Sequence, residues 1–413
     1  MTLLVHVATV PDSLVFLAGQ PAFMRARGIE TAVITSPGAA LDEFGRREGV
    51  RTFGVPMARA ITPAADAAAL HALVRILRSL RPDIVHAHTP KGGLLGTTAA
   101  FLARVPTRLY HMRGLRFAAM PPGPRRSLLV AAERASCALA TRVLCVSHSL
   151  REVALAERLA SATKLSVPGA GSGQGVDARG RFDPTSARPS VRAAVRAELG
   201  IADDALVIGF VGRLVNDKGV SELATAWRAL SAELPHARLV LVGAFEAEDP
   251  VDPAVRASLE RDARVSLVGF RRDTERYYAA FDLVVLPTYR EGFPNVPLEA
   301  ASMGLPVVAT RIPGCIDAVA EGETGTLVPP RDPLALERAI RSYADDAALR
   351  SAHGSAGRAR VLRDFDRVAV WSRIHDVYRN AMGAVTHPAE STSGASTATH
   401  APASSDTGRL HGP

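Results

Sequence analysis

The sequence predicts an α/β protein: two successive domains, each a parallel sheet with helices on both faces. Three observations predict it. The chain has 413 residues, too many for one ordinary core. Short apolar runs alternate with helix-like segments, which implies right-handed βαβ units. The alternation then stops and restarts with runs such as "LVIGFVGRL" and "DLVVLPT". These are β-rich and nearly continuous, as parallel strands covered on both faces are.

The elements follow in order. Candidate strands of the first domain, residues 1–184, are Leu3–Thr9, Thr31–Thr35, Ile84–His88, Arg108–His111 and Val143–Ser147. Segments with helical spacing, such as Ala69–Leu80 and Ser127–Ala140, lie between them. Residues 185–203 read as a linker followed by a helix. The second domain, 204–365, carries "LVIGFVGRL", "ARLVLVGAF", "RVSLVGF", "DLVVLPT" and "LPVVAT", each followed by a helix-like run. Residues 366–383 read as an amphipathic helix with Val368, Val370, Trp371, Ile374, Val377 and Tyr378 on its apolar side. From 384 to 413 almost no large apolar residue remains, so a disordered tail is expected.

Composition narrows the function classes. Three cysteines, Cys137, Cys145 and Cys315, form no metal-ligand spacing and read as buried thiols in a reducing compartment. No apolar run is long enough to span a membrane, and the start has no basic leader, so a cytoplasmic protein is expected. The net charge of +8 divides into +11 over residues 1–185 and −3 over the rest. A basic first half suits an anionic partner (nucleic acid, a phosphorylated substrate or a membrane surface) or a surface kept basic for solubility. No aromatic-studded basic stripe supports nucleic acid.

Two stretches carry chemistry. In "GFVGRLVNDKG" a buried strand ends and Gly212 turns the backbone, with Arg213 and Lys218 on the emerging loop. The C-terminal end of a strand is where open α/β sheets bind ligands, and two cations there suit a diphosphate. They also fit a pair of surface bases. In "REGFPNVPLEAASMG" Glu291 lies on the loop after a strand, and Pro297 suits the first turn of a helix running from about Asn295 to Met303. The amides at that helix start favour an anion. Glu299, one turn inside, and Glu291, outside, can reach hydroxylated groups on either side of it. One anion between two polyols describes a nucleotide sugar. The plainer alternative makes Glu299 a first-turn acid and Glu291 a loop charge.

The Glu291–Glu299 spacing resembles the E-x7-E pattern of the retaining GT-B glycosyltransferases of family 4. The resemblance extends through "GFVGRLVNDKG", "EGFPNVPLEAASMGLPVVAT" and "GCIDAVAEGETGTLVPPRDPLAL". In the first half, "HAHTPKGGLLG", "RGLRF" and "GSGQGVDARGRF" resemble the capsule and surface-polysaccharide branch. It implies two Rossmann-like domains facing a cleft, with the last helix crossing back to the first domain. It implies that Glu299 binds ribose, Glu291 meets the donor sugar, and Arg213 and Lys218 hold the diphosphate. Gly212, Gly292, Phe293, Gly314 and the amides of Asn295 and Val296 would line the donor site, with Arg271 near the base. Gly19, His88, Lys91 and Arg113 would face the acceptor or its phosphates. Arg113 stands where many relatives carry a histidine, so it reads as a cation near the phosphates.

The reaction so implied is retaining transfer of a hexose or N-acetylhexosamine from a nucleoside-diphosphate sugar, a UDP-sugar by preference, to a glycan hydroxyl. The acceptor would be polyprenyl-diphosphate-linked. The basic stretch 113–135 would then dock on an anionic membrane at the inner face of the plasma membrane. No cofactor and no metal are expected, since the lone D-x-D, Asp364–Asp366, starts the last helix with Asp366 as its cap. The competing readings are a non-catalytic nucleotide-sugar-binding subunit, a transferase acting on a small soluble acceptor, and a sugar-nucleotide 2-epimerase of the same fold.

Overall fold

The computed structural model describes residues 1–118, 120–185 and 189–386. The predicted tail from 387 onward, residues 186–188 of the predicted linker, and Ala119 of the basic stretch lie outside the described residues.

The first sheet holds β1 (Thr2–Val7), β2 (Ile29–Thr35), β3 (Arg51–Gly54), β4 (Ile84–His88), β5 (Thr107–Met112), β6 (Arg142–Cys145) and β7 (Leu165–Ser166). The second holds β8 (Leu206–Val211), β9 (Ala237–Val242), β10 (Val265–Gly269), β11 (Leu283–Leu286), β12 (Val307–Thr310) and β13 (Gly325–Val328). Their orders are β3-β2-β1-β4-β5-β6-β7 and β10-β9-β8-β11-β12-β13. Every pairing of named strands is parallel. Strand order reverses between β1 and β4 in one sheet and between β8 and β11 in the other. Crevices open at the C-terminal ends of such strands, so the topology fixes two facing places for ligands.

The central strands are nearly wholly buried because helices cover both faces; β4, "IVHAH", is buried throughout. Five predicted strands of the first sheet lie within two residues of their predicted ends. The short β3 and β7 are additions. The helix predicted from Ala69 begins earlier, at Pro63, which serves as a first-turn proline.

Two packing relations differ from the sequence reading. Val176, Ala178 and Phe182 already belong to the core under the second sheet, with Tyr278, Leu298 and Phe365. The chain therefore enters the second core before residue 184. The residues read as linker form the helix Pro189–Glu198, whose Arg196 is 1% exposed. Its guanidinium pairs with Asp282 at 2.9 Å and donates to the carbonyls of Asp203, Ala205 and Ala280. A buried charge with this many partners ties the helix down.

The last helix, Arg367–Thr386, returns to the first sheet. Val370, Ile374 and Tyr378 pack against Leu4, Met24, Ile84 and Leu109. Val368, predicted on this face, is 49% exposed. It lies two residues from Val370, roughly 200° around the helix, so both cannot face one sheet. Among the described residues no helix is long and apolar enough to cross a membrane.

Candidate functional site

The second sheet's crevice is assembled from the loops after β8 and β11. The chain leaves β8 through Gly212, makes a short turn at Asn216–Lys218, and passes Gly219 at φ +68°. A β-carbon on Gly219 would sit 2.0 Å from the Pro287 carbonyl oxygen. Glycine thus lets the two loops touch. Lys218 Nζ reaches Glu291 Oε1 at 2.5 Å, with both side chains largely shielded from solvent. Arg290 pairs with Asp217 at 2.7 Å and braces the same contact. Arg213 stands on the exposed side and pairs with Glu246 at 2.9 Å. The structure therefore brings Lys218 and Glu291 together and turns Arg213 toward a different carboxylate.

Asn295 stands at the start of the helix Val296–Ser302 without a side-chain capping bond, and Pro297 lies in its first turn, as the sequence predicts. Glu299 Oε2 accepts a hydrogen bond from the buried Tyr278 hydroxyl at 2.9 Å. Burial pushes the Glu299 carboxyl pKa up, against the Tyr278 hydrogen bond and the charge of Arg181. Phe293 packs against cores on both sides of the cleft. Gly314, at φ +83°, would place a β-carbon 2.6 Å from the Gly292 carbonyl oxygen. Arg271 Nε donates to the Tyr277 hydroxyl at 3.0 Å.

The residues read as acceptor-facing divide. Lys91 is engaged elsewhere: its Nζ pairs with Asp66 at 2.6 Å and also donates to the Ala60 carbonyl. Both partners flank the start of the helix Pro63–Leu80, so Lys91 anchors that helix. Gly19 adopts φ +79°, and a β-carbon there would meet the Trp371 ring at 2.9 Å. Its smallness lets the last helix approach.

His88 lies 2% exposed in a group of four buried imidazoles that sequence reasoning missed. His6 on β1, His86 and His88 on β4 and His111 on β5 share one face, because His6 pairs with His86 and His88 with His111 in register. Burial lowers all four pKa values, that of His6 to about 3. One nitrogen from each of His6, His86 and His88 lies within 4.8 Å of the others, a spacing a metal could use. In this structure those nitrogens are hydrogen-bonded at His6 Nδ1 and His88 Nε2, 2.9 Å apart, and Arg113 Nε donates to His88 Nδ1 at 3.3 Å. The alternation "HAH" at 86–88 was the available signal; its partners needed strand pairing to appear.

A seam joins the two sheets. Ser147 Oγ donates to the Gly292 carbonyl at 2.9 Å. Asp317, from the second sheet's side, accepts from the amides of His148 and Ser149 at 2.9 and 3.3 Å and from the Ser149 hydroxyl. The Gly314 amide donates to Ser149 Oγ at 2.7 Å. Gly292 and Gly314 were candidates from the sequence, whereas Ser147, His148, Ser149 and Asp317 were not.

Two family descriptions match the chain: a glycosyl transferase 4-like domain over residues 21–171, and glycosyl transferases group 1 over 205–346. The capsular polysaccharide biosynthesis glycosyltransferase CapM of Staphylococcus aureus is 30% identical over 90% of this chain and 96% of its own length. The chain belongs to the GT-B glycosyltransferases of family 4. A second family 4 relative is the UDP-Gal:alpha-D-GlcNAc-diphosphoundecaprenol alpha-1,3-galactosyltransferase of Escherichia coli. It is 28% identical over 80% of this chain and 84% of its own length. The Anabaena HepE structure in complex with UDP shares the GT-B fold, with a TM-score of 0.75 and 21% identity over 92% of this chain and all of that one. This glycosyltransferase is therefore an enzyme of two Rossmann-like domains.

Proposed function

We propose that the protein transfers a hexose or N-acetylhexosamine from a UDP-sugar, with retention, to a hydroxyl of a lipid-linked glycan in surface-polysaccharide assembly. The observation that carries this reading is the contact of Lys218 with Glu291 at the β8–β11 crevice, with Glu299 held by Tyr278 nearby. Glu299 takes the ribose hydroxyls, and Glu291 takes hydroxyls of the donor sugar. Lys218, Arg213 and the amides of Asn295 and Val296 meet charge developing on the departing diphosphate. Gly212, Gly292, Phe293 and Gly314 shape the wall, and Arg271 stands near the base. The diphosphate itself accepts the proton of the incoming hydroxyl, so no protein base is required.

A metal-free reaction is part of the proposal. Asp366 Oδ1 accepts from the Val368 amide at 3.1 Å and Asp364 pairs with Arg363 at 2.8 Å, so the D-x-D is used as a helix start. The relatives' names support a surface-polysaccharide role and a diphosphoundecaprenol-linked acceptor, and the UDP complex of a GT-B neighbour supports the donor. The first sheet then serves the acceptor. Leu128, 55% exposed on the basic helix Pro124–Leu139, suits contact with an anionic membrane.

Thermal shift against UDP-, GDP- and ADP-sugars tests the donor reading. Stabilisation by a UDP-sugar is expected, and stabilisation by none of the panel overturns it. Sedimentation with anionic liposomes at low salt tests the membrane contact.

A further inference from the structure

Arg113 follows β5 at the seam between the sheets. Among the described residues no carboxylate pairs with it. Its guanidinium stacks 4.2 Å over the Phe16 ring, donates from Nη2 to the Gly173 carbonyl at 3.3 Å and from Nε to His88 Nδ1 at 3.3 Å. Burial pushes its pKa down to about 9, so it stays charged at neutral pH. A shielded guanidinium without a carboxylate partner is costly, and an anionic ligand would offset that cost.

The hydrogen bonds have a fixed direction. A guanidinium only donates, so His88 Nδ1 accepts. A neutral His88 must then carry its proton on Nε2 and donate it to His6 Nδ1, 2.9 Å away. Neutral imidazoles hold the guanidinium at one edge without cancelling its charge, as a carboxylate would. Among the described residues Nη1 makes no hydrogen bond, and a β-carbon on Gly173 would lie 2.2 Å from it, so only glycine at 173 leaves that nitrogen room. Resting on the glycosyltransferase reading above, we propose that Arg113 binds a phosphate group of the acceptor, and that His88 and His6 are positioning residues that aim its free edge. Lys218 and Arg213 lie on the second sheet with the donor, so Arg113, a shielded cation on the first sheet without a carboxylate partner, serves the other anion. A planar fork suits a phosphate bidentately.

The test uses the full chain and inorganic pyrophosphate, titrated calorimetrically with and without saturating UDP. Pyrophosphate is expected to bind the UDP-loaded protein, and Arg113→Gln to weaken it about tenfold or more while UDP affinity stays within about twofold. Arg113→Lys, which keeps charge without the fork, should fall between and covers a poorly folded Arg113→Gln. Loss of pyrophosphate binding on UDP loading, or weakened UDP in Arg113→Gln, would assign the anion to the donor and overturn the proposal. If UDP fails to bind at all, the donor reading fails, and the pyrophosphate titration still reads Arg113 by itself. Imidazole nitrogen spectra check the positioning role: His88 should be protonated on Nε2, and a proton on Nδ1 would refute it.

Discussion

Gly292 and Arg113 meet backbone to backbone across the seam: a β-carbon on Gly292 would sit 1.9 Å from the Arg113 carbonyl oxygen. Gly292 has no positive φ, so a side chain meets no backbone conflict there and the space alone excludes it. The loop carrying Glu291 thereby reaches the end of β5, and the crevices of the two sheets approach each other.

Gly292→Ala should push the two sheets apart while leaving each folded. Overpacking costs about 1–3 kcal/mol, and here it falls on the closed arrangement. Transfer should drop about 10- to 100-fold, with a larger radius of gyration in solution scattering. Unchanged activity with unchanged dimensions would show that the seam opens freely.

The Tyr278 hydroxyl fixes Glu299 Oε2 and leaves the other oxygen for a ligand. The ring sits edge-on to Phe182 and Phe281, and phenylalanine keeps that packing. A hydrogen bond to a charged acceptor contributes about 1.5–3 kcal/mol, so Tyr278→Phe should raise the donor KM about tenfold or more with kcat little changed. Glu299→Ala should abolish donor stabilisation in thermal shift. Donor binding as tight as wild type in Glu299→Ala removes the ribose assignment.

The crevice after β8 and β11, where we propose the donor binds, was legible as a place because it is local. Glu291 and Glu299 sit in a single strand–loop–helix unit, and Gly314 and Lys218 follow the strands on either side of it. What the sequence hid depends on distance along the chain. Ser149 and Asp317 lie 168 positions apart, and nothing in either neighbourhood announces the other. The imidazole group needs the pairing of β1, β4 and β5 before it exists. Lys91 misled because a lysine in a glycine-rich loop looks like a phosphate ligand, whereas Asp66, 25 positions earlier, had claimed it. β3 and β7 were missed for a physical reason: one has exposed ends and the other has two residues, so neither shows the continuous apolar run of a central strand.

Asp317 caps the helix His148–Ala156 from the opposite sheet. A cap contributes about 0.5–2 kcal/mol, and a carboxylate at a helix start adds about 0.3–1. Asp317→Ala should therefore weaken closure directly, with Asp317→Asn between it and wild type. Scattering with UDP should show less compaction in Asp317→Ala, and kcat/KM should fall roughly tenfold. Equal compaction in all three proteins would mean that the cap serves only its own helix.

Glu133 gives the stability of the first sheet a pH dependence. It lies on the helix Pro124–Leu139, 5% exposed, and its Oε2 accepts from the Tyr110 hydroxyl at 2.6 Å. Burial pushes its pKa from 4.5 up to about 7, against the pull of that hydrogen bond. Between those two values the folded protein keeps a proton that the unfolded chain has released. Stability linked to this group is thus fully present below the unfolded pKa and is lost as pH rises through the folded one, at up to about 1.4 kcal/mol per pH unit. Glu133→Gln stays neutral throughout and should remove this slope. Urea unfolding of both proteins at pH 5, 6, 7 and 8 reads it directly. The variant should gain on wild type from pH 5 to 7 and hold the gain at pH 8, whereas curves that stay parallel would place the Glu133 titration outside this range.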